Sequence, residues 1–96
     1  MRIICICGNG LGSSFLLEMN VRDALKSLGI SGIETTHSDL GSCTRDLADV
    51  FVVALDIADE ARRFGEVVVI NNIIDKHELH EKIKELMIKH GKLKAV

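Results

Sequence analysis

Short uninterrupted apolar runs alternate along this chain with stretches in which apolar residues return at helical spacing. Ile3 to Cys7 has no polar interruption, which predicts a central strand covered on both faces. From Ser14 to Leu28 the apolar positions Leu17, Val21, Leu25 and Leu28 recur at intervals of four, four and three, one face of a helix, and Gly29 supplies a left-handed stop. Ile33 to His37 reads as a second strand, with Thr35 and Thr36 suited to an edge or near-edge position. Asp39 to Asp49 holds turn residues and one or two helical turns at Thr44 to Ala48. Val50 to Leu55 is the clearest buried strand. A short helix from Asp56 to Phe64 follows, then a fourth strand at Glu66 to Ile70 and a loop at Asn71-Asn72. Asp75 and Glu78 form a capping pair for a last helix that runs to His90 and ends at Gly91. Leu79, Ile83, Leu86 and Met87 make its buried face; Lys84, Lys89, His90 and Lys92 gather near its C-terminus, where the helix dipole favours positive charge.

This rhythm predicts an α/β fold: a four-stranded parallel sheet in the order 2-1-3-4 with helices on both faces, because parallel neighbours require right-handed crossovers. At 96 residues, the chain is expected to form a single phosphatase-like or Rossmann-like domain over residues 1–96, enough for one modest core. In such sheets ligands bind beyond the carboxyl ends of the strands. The first strand reaches that edge at Cys7.

Composition narrows the functions. A net charge of −2 and a pI near 6.0 leave no broad basic footprint for nucleic acid. The absence of Trp and Tyr, with only three Phe, removes base-stacking platforms. The run from Val50 to Leu55 is far shorter than the roughly 20 residues of a membrane helix, so the chain is not expected to span a bilayer. The N-terminal apolar run leads into a glycine turn and carries no cleavage signal, and it reads as a mature first strand. Three cysteines, without zinc-type spacing or a secretory signal, point to reduced thiols in the cytoplasm. No metal or cofactor is expected.

The candidate chemistry lies in Cys7-Gly8-Asn9-Gly10-Leu11-Gly12-Ser13-Ser14. A thiol stands at the end of a strand, ahead of a glycine-rich turn and a helix start whose first N–H groups lack intrahelical partners. Such a setting favours negative charge on sulfur and holds phosphate. Three phosphate-loop patterns compete. The dinucleotide fingerprint places glycine at the first, third and sixth positions, but counting from Gly8 puts Ser13 sixth. A Walker loop needs Lys before Ser or Thr, and no Lys occurs between Gly8 and Val21. The cysteine cradle of tyrosine phosphatases carries an Arg six positions after the nucleophile; Ser13 stands there. Without that guanidinium, backbone N–H groups and the hydroxyls of Ser13 and Ser14 can hold a phosphorylated sulfur, while hydrolysis loses transition-state stabilisation. Such a loop suits a carrier.

These residues resemble the enzyme IIB components of the sugar phosphotransferase system, specifically the ascorbate-type members of the lactose/ascorbate/galactitol-like group. The resemblance rests on the strand followed by Cys-Gly-Asn-Gly-x-Gly-Ser-Ser. It extends to the strand at Val50 to Leu55, the Ile57-Ala58-x-Glu60 segment, the strand at Val67 to Ile70, Asn72 and the terminal amphipathic helix. It implies a phosphotransferase in which Cys7 accepts phosphate from a histidine of enzyme IIA and passes it to a sugar, ascorbate by implication, held by membrane enzyme IIC. Gly8, Asn9, Gly10, Leu11, Gly12, Ser13 and Ser14 would bind the phosphate.

Other residues carry plainer readings. Cys5 lies within strand one and reads as packing; Cys43, beside Gly41 and Ser42, is a weaker candidate for a second reactive thiol. Asp56 is expected to cap the helix after strand three, or to serve as general acid in the alternative of a small cysteine phosphatase. A non-catalytic regulatory phosphocarrier is the other alternative. His37 ends strand two on the same edge and reads equally as a contact to the phosphate or a docked partner, or as a solvated histidine. His77 and His80 have a metal-compatible spacing but no evident third ligand. Leu11 and Phe15 flank the loop as candidate docking residues, Phe15 equally as helix core.

Overall fold

The computed structural model describes residues 1–8 and 11–94, the side chain of Leu11 excepted. Strands β1 (Arg2–Ile6), β2 (Glu34–Ser38), β3 (Val50–Ala54) and β4 (Glu66–Ile70) alternate with helices α1 (Leu11–Ser27), α2 (Ala58–Ala61) and α3 (Lys76–Lys89). The strands form one parallel sheet in the order β2-β1-β3-β4, as expected from the alternation.

The two central strands explain why both faces are covered. Side chains alternate across a strand, and every residue of β3 and every residue of β1 after Arg2 is buried. On one face Ile3, Cys5, Val50, Val52 and Ile70 pack against Leu17, Val21 and Leu25 of α1 and Leu79, Ile83, Leu86 and Met87 of α3. On the other, Ile4, Ile6, Phe51 and Val53 pack against Cys43, Ile57, Ala58, Ala61 and Phe64. The Phe51 and Phe64 rings lie 5.4 Å apart, centroid to centroid.

Boundaries differ from the sequence reading where apolar periodicity has nothing to report. Helix α1 starts at Leu11, three residues before Ser14, because its first turn carries Gly12, Ser13 and Ser14 and thus no apolar period. At its end Gly29 adopts φ 73°, with Ile30 N donating to Leu25 O and Gly29 N to Lys26 O. These two bonds satisfy carbonyls that the helix end leaves free. The helix expected over Asp56 to Phe64 is one α-helical turn flanked by tighter 3₁₀ turns at Leu55–Ile57 and Arg62–Phe64.

The capping pair of α3 is half realised. Asp75 Oδ1 accepts from His77 N at 3.0 Å and Glu78 N at 3.1 Å. Glu78 does not turn back to Asp75, whose own N–H is taken by Asn72 O. Instead its Oε2 accepts from Asn71 N and Nδ2, both at 2.9 Å, and its Oε1 from Asn72 N at 3.0 Å. Lys82 Nζ lies 3.0 Å from the same carboxylate and also donates to Val69 O on the edge strand. The backbone N–H of Asn71, then that of Asn72 and the Lys82 ammonium, hold Glu78 down to about 2.

A carboxylate held below its ordinary value near 4.5 contributes stability that is complete above that value and is lost as pH falls toward about 2. Glu78→Gln is therefore expected to be less stable than the parent at neutral pH, with the gap closing over that acid range. Urea melts across a pH series measure it, and a deficit independent of pH would contradict the assignment.

Candidate functional site

Parallel register brings the ends of three strands level. Ile6 pairs with Val53, Val53 with Val69 and Ala54 with Ile70, so the residues that leave β1, β3 and β4 emerge side by side at the carboxyl edge. There they line an open cleft of about 420 Å³ formed by Cys7, Ala54, Leu55, Asp56, Asn71, Asn72 and Ile73. Cys7 is only 4% exposed. A second groove, about 310 Å³, runs between β4 and α3. Its Lys82 and Lys89 are engaged by Glu78, Val69 O and Glu66, and it holds no thiol.

Next to Cys7 the chain passes very close to the segment after β3. A Cβ on Gly8 would lie 2.6 Å from Asp56 Oδ2 and 2.8 Å from Ile57 Cγ2. Glycine is required here by that close approach, since the φ of Gly8 is not positive. Gly12 is different. It lies in the first turn of α1 with open space where a Cβ would stand, so crowding does not demand glycine there.

The other predicted positions divide clearly. Gly12, Ser13 and Ser14 belong to the first turn of α1, where N–H groups lack intrahelical acceptors; Ser14 is buried and Ser13 partly so. Asn9, Gly10 and the Leu11 side chain, with its suggested docking role, lie outside the described residues. Cys5 is fully buried, and burial pushes its thiol up from the usual range. Cys43 packs against the opposite sheet face, away from the cleft, and burial pushes its thiol up as well. Phe15 is about half exposed, with its ring set edge-on to His37 at 5.5 Å, and so is not core.

Asp56 corrects an expectation. It sits inside the Leu55–Ile57 turn, and neither that turn nor α2 has a side-chain cap. Its carboxylate instead reaches the backbone beside Cys7. His37 does not line the cleft; its Nδ1 lies 2.5 Å from Oε1 of the buried Glu18, whose other oxygen is 2.5 Å from Arg22 Nη2. Arg22 in turn donates to the side chain and carbonyl of Thr35, tying α1 to β2. His77 and His80 lie on α3, outside the cleft. Among the described residues no three His, Cys, Asp or Glu side chains converge in a metal-binding group.

The sequence reading passed over Asn71 as a loop residue and Glu78 as a simple cap. Together they fix the wall opposite Asp56. A signal was present: in the predicted order 2-1-3-4, residues following strands three and four must lie near those following strand one.

Comparison with known proteins accords with this geometry. The family model described as "PTS system, Lactose/Cellobiose specific IIB subunit", PTS being the phosphotransferase system, matches residues 2–85. The ascorbate-specific PTS system EIIB component of Escherichia coli O157:H7 is 30% identical over 95 residues, covering 94% of this chain and 92% of that protein. Its namesake from Mycoplasma pneumoniae is 23% identical over 90 residues, covering 91% and 95%. The lactose-specific IIB component domain of the phosphoenolpyruvate:carbohydrate phosphotransferase system from Streptococcus pneumoniae shares the fold, with a TM-score of 0.60 at 15% identity over 96% of each chain. No helix among the described residues is long and apolar enough to cross a membrane. The chain therefore belongs to the IIB subunit family of the sugar phosphotransferase system, whose members are phosphotransferases.

Proposed function

We propose that Cys7 is a phosphoryl carrier in the cytoplasm, loaded by a phosphohistidine of enzyme IIA and discharged onto a sugar held by membrane enzyme IIC. In the first step the thiolate attacks phosphorus; the S–P bond forms, the N–P bond breaks, and the departing imidazole nitrogen keeps the electron pair. In the second a sugar hydroxyl oxygen attacks, the O–P bond forms, and the electrons of the S–P bond return to sulfur. The observation that carries this reading is the position of Cys7: it lines the carboxyl-edge cleft and stands a few residues ahead of the N-terminus of α1, the end of a helix that favours phosphate.

The same surroundings favour a relay over a hydrolase. Ser13 stands where a cysteine phosphatase keeps its arginine, so the transferring phosphoryl group lacks a guanidinium clamp. Gly8 and the α1 positions Leu11, Gly12, Ser13 and Ser14 bind the phosphoryl group together with Asn9 and Gly10. Ascorbate is the proposed sugar, supported by the names of the similar proteins. Docking is transient and uses the apolar rim, where Leu55 lines the cleft at 58% exposure and Ile74, one residue beyond its wall, is 70% exposed. Exposed apolar groups of this size beside a reactive centre fit a surface that is covered intermittently.

Two outcomes are expected. Supplied with phosphoenolpyruvate, the general phosphotransferase proteins and the cognate IIA, the parent gains the mass of one phosphoryl group, and Cys7→Ser gains none. An undiminished adduct in that variant would refute the assignment. Leu55→Asp is expected to slow loading from phospho-IIA by raising KM while leaving the melting temperature unchanged; unaltered loading kinetics would remove Leu55 from the docking face.

A further inference from the structure

We propose that Asp56 takes the proton of the acceptor hydroxyl in the sugar-directed step, an inference that rests on the relay proposed for Cys7. The two half-reactions differ in their protons. Loading supplies its own proton acceptor, because the imidazole nitrogen that leaves phosphorus can take a proton from the thiol as the S–P bond forms. Discharge converts a neutral hydroxyl into an ester oxygen, so one proton must leave as the O–P bond forms. The sulfur leaves on the side of phosphorus opposite the attacking oxygen, so it is not placed to take that proton.

Asp56 is placed for this proton. It shares the cleft with Cys7, and its Oδ2 lies 2.6 Å from where a Cβ of Gly8 would stand, beside the backbone that follows the thiol. The Leu55–Ile57 turn that carries it is anchored by buried Ile57 and Ala58. Among the described residues no donor or cation pairs with its carboxylate, and Asp56 is exposed. Glu78, the carboxylate behind the facing wall, is committed to Asn71, Asn72 and Lys82.

The facing wall is built to stay still. Asn71 and Asn72 are bound through their N–H groups to Glu78, and Asn72 Oδ1 accepts from Ile74 N at 3.2 Å. A hydroxyl entering between the two walls meets the phosphoryl group on Cys7 and the carboxylate of Asp56 in one space. The balance is complete: the O–P bond forms, the S–P bond breaks with its electrons on sulfur, and the hydroxyl proton passes to Asp56 and then to water.

The test measures both half-reactions in Asp56→Asn. Loading is followed by intact mass with phospho-IIA as donor, and discharge by transfer of label from the phosphorylated protein to L-ascorbate in membrane vesicles containing the cognate IIC. Loading is expected to be unchanged, while kcat of discharge falls about 100-fold at unaltered KM. Unchanged discharge would overturn the role of Asp56, as would an equal loss in both steps, which is the mark of a structural defect. A parent protein that fails to load, or that loads and passes nothing to the sugar, would overturn the relay itself and this inference with it.

Discussion

The close approach of Gly8 to Asp56 and Ile57 is the constraint on which the site depends. It follows from parallel pairing: with Ile6 opposite Val53, the chain leaving β1 must run beside the chain leaving β3. Only a residue without a side chain fits at position 8, where a Cβ would meet an oxygen and a methyl group at once. Cys7 is thereby held at the cleft that Asp56 also lines, ahead of the N-terminus of α1. Buried side chains on both faces of β1 and β3 keep those strands in register, so the geometry of the edge is set by the core beneath it.

The cleft's two walls are stabilised differently. The Asp56 wall is a tight turn fixed by apolar anchors, and its carboxylate is left exposed. The Asn71-Asn72 wall is fixed by the Glu78 carboxylate, which gathers two backbone N–H groups, a side-chain amide and an ammonium. Charge-assisted bonds of this kind are stronger than neutral ones, and they begin from a helix that packs on one face of the sheet through Leu79 and Ile83. On the proposed relay, this division suits a site that handles a phosphoryl group in two directions: rigid walls, an open mouth, and no arginine to speed loss of phosphate to water.

Much of the fold was legible because the central strands carry unbroken apolar runs and the helices α1 and α3 carry clear apolar stripes. The parallel sheet covered on both faces followed from the alternation of strands and helices, and the cysteine stood out at the junction of strand and glycine turn. Three features were not legible in this way. The first turn of α1 contains small polar residues and has no period to read. Asp56 looks like a helix cap in one dimension, since an acidic residue after a strand usually begins a helix; only the approach of Gly8 shows its carboxylate set beside the residue that follows Cys7. Glu78 matched a capping pattern locally, but the N–H groups of Asn71 and Asn72 lie in reach only because β4 ends beside the start of α3, a tertiary fact that outcompetes the local one. The same holds for His37, drawn to buried Glu18 and away from the cleft.

The central claim, that the phosphoryl group is carried on sulfur at Cys7, is tested most directly by phosphorus NMR of the protein phosphorylated by its IIA. The account predicts one resonance in the thiophosphate-ester range, absent when Cys7 is alkylated before loading. A resonance in the phosphoramidate range, placing the group on a histidine such as His37, or a thiophosphate signal that survives alkylation of Cys7, would contradict it.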